Sequence, residues 1–176
     1  MAHSVVLVDD HHLVRSGLVA MVNALGAYQV AMEAGNGREL IEAIGSAGKN
    51  GGALPTIAIV DLNMPVMDGY ETLSWLREHQ PKVLSLALTF DATDEARLRA
   101  VRAGARGFLL KNARPEVLRN ALDSLSALAP DGQFARAVQV DRRLDAAAHS
   151  GPRAIREIFD FSDPWTLRSN AYAKAT

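Results

Sequence analysis

Four short apolar runs in this chain stop abruptly at a polar side chain, and no other feature narrows the possible folds as much. Residues 5–8 (Val-Val-Leu-Val) stop at Asp9-Asp10, residues 57–60 (Ile-Ala-Ile-Val) at Asp61, residues 82–88 at Thr89, and residues 106–110 at Lys111. Runs of this length and β-branched character read as strands buried on both faces. A carboxylate inside such a strand needs a partner, so Asp61 is expected where its strand leaves the core and meets solvent. Pro65 and Gly69 then enforce a loop before the next helix.

Helical patterns separate the runs. Residues 11–25 carry Leu13, Val14, Leu18, Met21, Val22 and Leu25 at helical spacing, and Gly26 stops them. Residues 28–34 form a weaker second strand. Asn36 caps a helix over 37–47 with Leu40, Ile41 and Ile44 on one face, and residues 45–53 are expected as a glycine-rich surface loop. Further helices are expected over 70–79, ended by Pro81, over 92–103, stopped by Gly104, and over 115–128, opened by Pro115. Strand and helix thus alternate five times. That order implies a parallel sheet with helices on both faces, with its ligand crevice beyond the carboxyl ends of the strands. The second strand puts nothing comparable there, as expected of an edge strand.

Asp9, Asp10, Asp61, Thr89 and Lys111 therefore converge on one crevice. Three carboxylates repel one another unless a cation neutralises them. Oxygen ligands without cysteine or histidine point to a hard ion, Mg²⁺ before Ca²⁺. A lysine and a threonine hydroxyl beside them suit a dianionic phosphoryl group, and Asp61 has the chemistry of its nucleophile. His11 and His12 are expected to face solvent at a helix start rather than to bind metal. The stripe Leu118, Leu122, Leu125 reads as core or partner surface.

Composition agrees with this picture. The chain has 176 residues, a formal net charge of −1 and no cysteine, so no global field draws it to nucleic acid or membrane and disulfides are excluded. No run approaches the length of a membrane span, and Met1 to Ser4 lead straight into a strand, so no signal peptide and a cytoplasmic location are expected.

In combination the motifs resemble the receiver domain of bacterial two-component response regulators. They are Val-Asp-Asp at 8–10, Asp-Leu-Asn-Met-Pro-Val-Met-Asp-Gly at 61–69, Leu-Thr at 88–89 and Gly-Phe-Leu-Leu-Lys at 107–111. Residues 9–18 look like the NarL/FixJ subgroup. The resemblance implies a flavodoxin-like (βα)5 fold with strand order 2-1-3-4-5. It implies that Asp61 accepts a phosphoryl group from a histidine kinase or phosphotransfer protein. Asp9, Asp10 and Asp61 would form the acidic pocket, with Asp10, Asp61 and the Asn63 backbone carbonyl as Mg²⁺ ligands. Lys111 would bind the phosphate, Thr89 would be the switch hydroxyl, and Phe108 the aromatic that turns inward on activation. Dimerisation through the first and fifth helices, or through the fourth helix, fifth strand and fifth helix, is also implied. Such a protein is no enzyme beyond its own phosphorylation and dephosphorylation.

The chain departs from the pattern at Phe90, a bulky residue after the switch threonine that would restrict water and small phosphodonors, and at Asn112, where proline is common. Residues 3–128 read as the receiver domain. Residues 129–176 do not resemble the helix-turn-helix of NarL/FixJ regulators. They carry seven Lys/Arg against six acids, a poor footprint for DNA. They read as a helical or partly disordered extension, with helices over 133–149 and 152–159 and with Phe159, Phe161 and Trp165 free to dock. The alternative is a transcription regulator with a truncated or degenerate output domain. A phosphatase of the haloacid-dehalogenase type would need its acid pair last in the chain and a general acid at Asn63. A flavodoxin-like cofactor binder would need Ser, Thr and Gly where Asp9-Asp10 repel phosphate.

Overall fold

The alternation of strand and helix is present in the computed structural model, which describes residues 2–49 and 51–127. Its elements are β1 (His3–Val8), α1 (His12–Ala24), β2 (Tyr28–Ala34), α2 (Gly37–Lys49), β3 (Ile57–Asp61), α3 (Gly69–His79), β4 (Leu84–Thr89), α4 (Asp94–Ala103), β5 (Gly107–Leu110) and α5 (Pro115–Ala127). The strands form one parallel sheet in the order β2-β1-β3-β4-β5. The fold is the flavodoxin-like receiver fold expected from the sequence, with β2 at an edge. From β1 the chain steps outward to β2 and then returns to β3 on the other side of β1. The order reverses between β1 and β3, and there a crevice opens beyond the strand ends.

Successive strand residues point to opposite faces, and the two faces are filled differently. Val6, Val8, Ala58, Val60 and Ala87 face α2, α3 and α4. Val5, Leu7, Ile57, Ile59, Leu86, Leu88 and Leu109 face α1 and α5, where Leu18, Val22, Leu118, Leu122 and Leu125 meet them. Small residues on the first face let α3 approach closely. At its first residue, Gly69, a Cβ would overlap the backbone carbonyl of Asp61. Asp68 caps this helix in a reciprocal box. Its carboxylate accepts from the Glu71 amide at 2.8 Å, and the Glu71 carboxylate accepts from the Asp68 amide at 3.0 Å. The start of α3 is thereby locked against the end of β3.

Two expectations need correction. Residues 45–49 are not loop but the last turns of α2. Gly45 and Gly48 each lower helix stability by about 1 kcal/mol, yet Leu40 and Ile44 anchor the helix to the core. Past its end, the Gly52 amide closes onto the Ala47 carbonyl at 2.8 Å. Asp61 does not meet solvent either. It is the last residue of β3, pairs in register with Leu88 and is 1% exposed. Elsewhere boundaries move by one or two residues. The helices expected over 133–149 and 152–159, the aromatics Phe159, Phe161 and Trp165, and Leu128 lie outside the described residues.

Candidate functional site

The ends of β1, β3 and β5 bring together two buried carboxylates and one ammonium. Asp9 follows β1, and its amide donates to the Ala34 carbonyl at 3.0 Å, which carries the sheet pairing one residue further. Its Oδ1 accepts from the His11 amide at 2.8 Å. Arg15 of α1 braces this corner, donating to the Asp9 carbonyl and, at 3.1 Å, to Glu33 on β2. Asp61 Oδ1 accepts from the Asn63 amide at 3.2 Å. Lys111 reaches in from the end of β5. Its Nζ donates to Asp61 Oδ2 at 2.7 Å and lies 2.9 Å from Asp9 Oδ2. All three side chains are 2% exposed.

One ammonium serves two buried carboxylates, so charge is not balanced. Burial raises the Asp61 carboxyl above its ordinary value, and the bond and charge of Lys111 do not fully offset it. Burial alone would lower the Lys111 ammonium, but its bonds and charge pairing with Asp61 and Asp9 outweigh that and raise it. Apart from its ion pair with Lys111, Asp9 Oδ2 is a buried oxygen with no hydrogen-bond partner among the described residues. Asp10 adds a third carboxylate at the exposed mouth. Ligand atoms of Asp9, Asp10, His11 and Asp61 all lie within 4.8 Å of one another. This donor set, rich in carboxylate oxygen and short of positive charge, fits a divalent cation.

The other residues expected at the site stand around this cluster. Thr89 ends β4 fully buried, and its hydroxyl accepts from the Asp91 amide at 3.1 Å. Its carbonyl accepts from the Lys111 amide at 2.8 Å, which fixes the root of the lysine. Asn63 is exposed in the loop after β3. Phe108 is not at the cluster. It is buried in the core beside α4, with the Arg97 guanidinium 5.5 Å from its ring centre. Phe90 is 66% exposed, and its ring centre lies 5.5 Å from Lys111 Nζ.

Two features escaped the sequence reading. His11 is exposed at the start of α1 as expected, but its ring turns back over the acids. Nδ1 lies 2.8 Å from Asp10, 3.4 Å from Asp9 and 3.9 Å from Asp61. Its place directly after two loop aspartates was the available signal. Val66 takes φ +70° in the β3–α3 loop. A β-branched residue in that conformation is a strained outlier, and such strain gathers at functional sites. No local signal in the sequence announces it.

Residues 5–123 match the family described as the response regulator receiver domain. The chain belongs to this family. It is 34% identical over 124 residues to the nitrate/nitrite response regulator protein NarL of Escherichia coli (strain K12), covering 70% of this chain and 55% of that protein. It is 30% identical over 164 residues to the transcriptional regulatory protein YxjL of Bacillus subtilis (strain 168), covering 93% of this chain and 70% of that one. Among solved structures, the receiver domain of a NarL protein from Mycobacterium tuberculosis matches with a TM-score of 0.63 at 30% identity. That match covers 71% of this chain and 97% of the other. The chain spans only about half the length of the E. coli relative. As a receiver of the NarL type it is a component of two-component response regulation, and receiver domains as a class carry an acidic cation site where this chain has Asp9, Asp10 and Asp61. No helix among the described residues is long and apolar enough to cross a membrane.

Proposed function

We propose that this protein accepts a phosphoryl group on Asp61 from a sensor histidine kinase or a phosphotransfer protein, and switches conformation to control an output. The observation that carries the reading is the excess of carboxylate over ammonium at Asp9, Asp61 and Lys111. An Asp61 oxygen attacks phosphorus as the bond to the donor's imidazole breaks. Asp10, Asp61 and the Asn63 carbonyl would hold Mg²⁺, which would neutralise the crowded negative charge beside an incoming phosphate dianion. Lys111 moves its ammonium from the Asp61 carboxylate to a phosphoryl oxygen. The Thr89 hydroxyl turns from the Asp91 amide and donates to another. That movement alters the packing around Phe108 and the surface made by α4, β5 and α5. The protein acts on itself alone and turns over no separate substrate.

In this reading residues 3–128 are the receiver and 129–176 an extension short of a complete DNA-binding domain. The kinase meets the mouth around Asp10. A homodimer uses α1 and α5, or α4, β5 and α5. The setting is the cytoplasm. A second reading is supported by the similarity to YxjL, which continues beyond the receiver to 93% of this chain. There the chain is part of a transcription regulator whose output region is truncated or degenerate, and gel-shift binding to DNA that strengthens on phosphorylation identifies it.

The test is intact mass after incubation with acetyl phosphate or phosphoramidate and Mg²⁺. The expected result is one phosphoryl adduct in the wild type, absent in Asp61→Ala and absent without Mg²⁺. An adduct that survives Asp61→Ala places the chemistry elsewhere and overturns the assignment.

A further inference from the structure

Phosphoryl transfer as described gives His11 no task, yet the fold holds its ring over the acids. Its amide is bound to Asp9 Oδ1 at 2.8 Å, which sets the residue at the pocket's mouth. It occupies the N-cap position of α1 but makes no side-chain capping hydrogen bond, so the ring is not spent on the helix terminus. Nδ1 instead lies 2.8, 3.4 and 3.9 Å from carboxylate oxygens of Asp10, Asp9 and Asp61.

Those spacings are close to the edges of a coordination polyhedron. Bonds of about 2.1 Å put neighbouring ligands about 3.0–3.4 Å apart and opposite ligands about 4.2 Å apart. A carboxylate-only pocket favours hard ions such as Mg²⁺, whereas an imidazole nitrogen favours Zn²⁺ and its borderline neighbours. We propose that His11 is a further ligand, through Nδ1, which raises this pocket's preference for a borderline divalent cation of the Zn²⁺ or Co²⁺ kind over Mg²⁺. The proposal rests on reading the pocket as a cation site. It deepens that reading by making His11 the residue that sets which cation is preferred. When such an ion binds, it takes the place of any proton on Nδ1.

Co²⁺ is the direct probe, because its visible absorption reports nitrogen coordination. The full chain, without an affinity tag, is titrated with Co²⁺ and with Zn²⁺, and separately with Mg²⁺ by calorimetry. The ratio of Co²⁺ to Mg²⁺ affinity is expected to fall roughly tenfold or more in His11→Ala and in His11→Gln, with a change in the Co²⁺ spectrum. His12→Ala, whose ring is outside the cluster, is expected to keep both. An unchanged ratio and spectrum in the His11 variants overturns the proposal. A parallel loss of Co²⁺ and Mg²⁺ overturns it too, because His11 then only orients the loop. Asp10→Ala separates the levels. Loss of Mg²⁺ binding in that variant upholds the cation pocket whatever His11 does, and full retention overturns the pocket and the proposal together.

Discussion

At the start of β2 the sheet buries Tyr28, and at the ends of β1 and β3 it buries Asp9 and Asp61, but the two polar clusters are built on opposite principles. The Tyr28 hydroxyl donates to Asp123 at 2.7 Å and lies 3.0 Å from Ser126 Oγ, which itself binds the Leu122 carbonyl at 2.8 Å. Burial pushes this phenol up to about 12, with Ser126 opposing and Asp123 adding to the rise, so it stays a donor across the physiological range. Every group there has a partner, and the cluster pins the end of α5 to the sheet. At the other edge two buried carboxylates share one lysine, a third stands at the mouth, and burial raises the Asp61 carboxyl despite the bond and charge of Lys111. A polar network in which every group has its partner marks scaffold. A buried network with surplus charge of one sign marks a place waiting for a charged ligand.

The contrast is broken most directly at Lys111. Lys111→Met leaves two buried carboxylates without their cation and is expected to destabilise the fold by about 3–5 kcal/mol, read from urea unfolding. Adding Asp61→Asn to that variant should recover part of the loss. A near-zero effect of Lys111→Met would mean that the charges are solvated after all. The balanced edge should respond less and without consequence for phosphorylation. Tyr28→Phe removes two hydrogen bonds, one to a carboxylate, and is expected to lower stability by about 1–2 kcal/mol while the mass adduct at Asp61 still forms.

How much of this could be read from the sequence follows from how far apart the partners lie. The strands and the polar residues that end them were legible, because apolar runs and their terminators are local. So was the expected convergence of Asp9, Asp61 and Lys111, because a parallel sheet brings its strand ends to one edge. The burial of Asp61 was not, since its partner stands fifty residues away. The Tyr28–Asp123 bond spans ninety-five residues and left no pattern either. Gly45 and Gly48 signalled loop, and only the docking of Leu40 and Ile44 overrode them. His11 was placed correctly on the chain, but the direction of its ring depends on the Asp9 turn beneath it.

A reversal of sign sharpens the comparison further. Asp61→Asn removes one of the surplus charges and is expected to stabilise the protein at neutral pH by on the order of 1 kcal/mol, where the same kind of change at Tyr28 destabilises. The pH dependence follows from the raised carboxyl. Folded Asp61 holds its proton more tightly than unfolded Asp61, so its unfavourable effect is present above the raised folded value. That effect fades as pH falls through the folded value towards the ordinary 3.8. The advantage of Asp61→Asn should therefore shrink on acidification. Unfolding midpoints of the two proteins that stay equally far apart at every pH would show that Asp61 is not the strained charge.

Phe90 should have the smallest effect on stability and tests what the surplus charge is for. Its ring is 66% exposed, beside Lys111. Phe90→Ala removes a weak cation–π contact and little buried area, so stability should stay within about 0.5 kcal/mol of the wild type. Yet the ring stands next to the lysine that holds Asp61 and, in the proposed reaction, the phosphoryl group. From that position it is expected to narrow the approach of water and of small phosphodonors. Removing it should shorten the lifetime of the phosphorylated protein and speed labelling by acetyl phosphate, both followed by intact mass over time. Equal lifetimes in Phe90→Ala and the wild type would assign the ring to the outer surface alone and leave access to Asp61 under the control of the pocket's own residues.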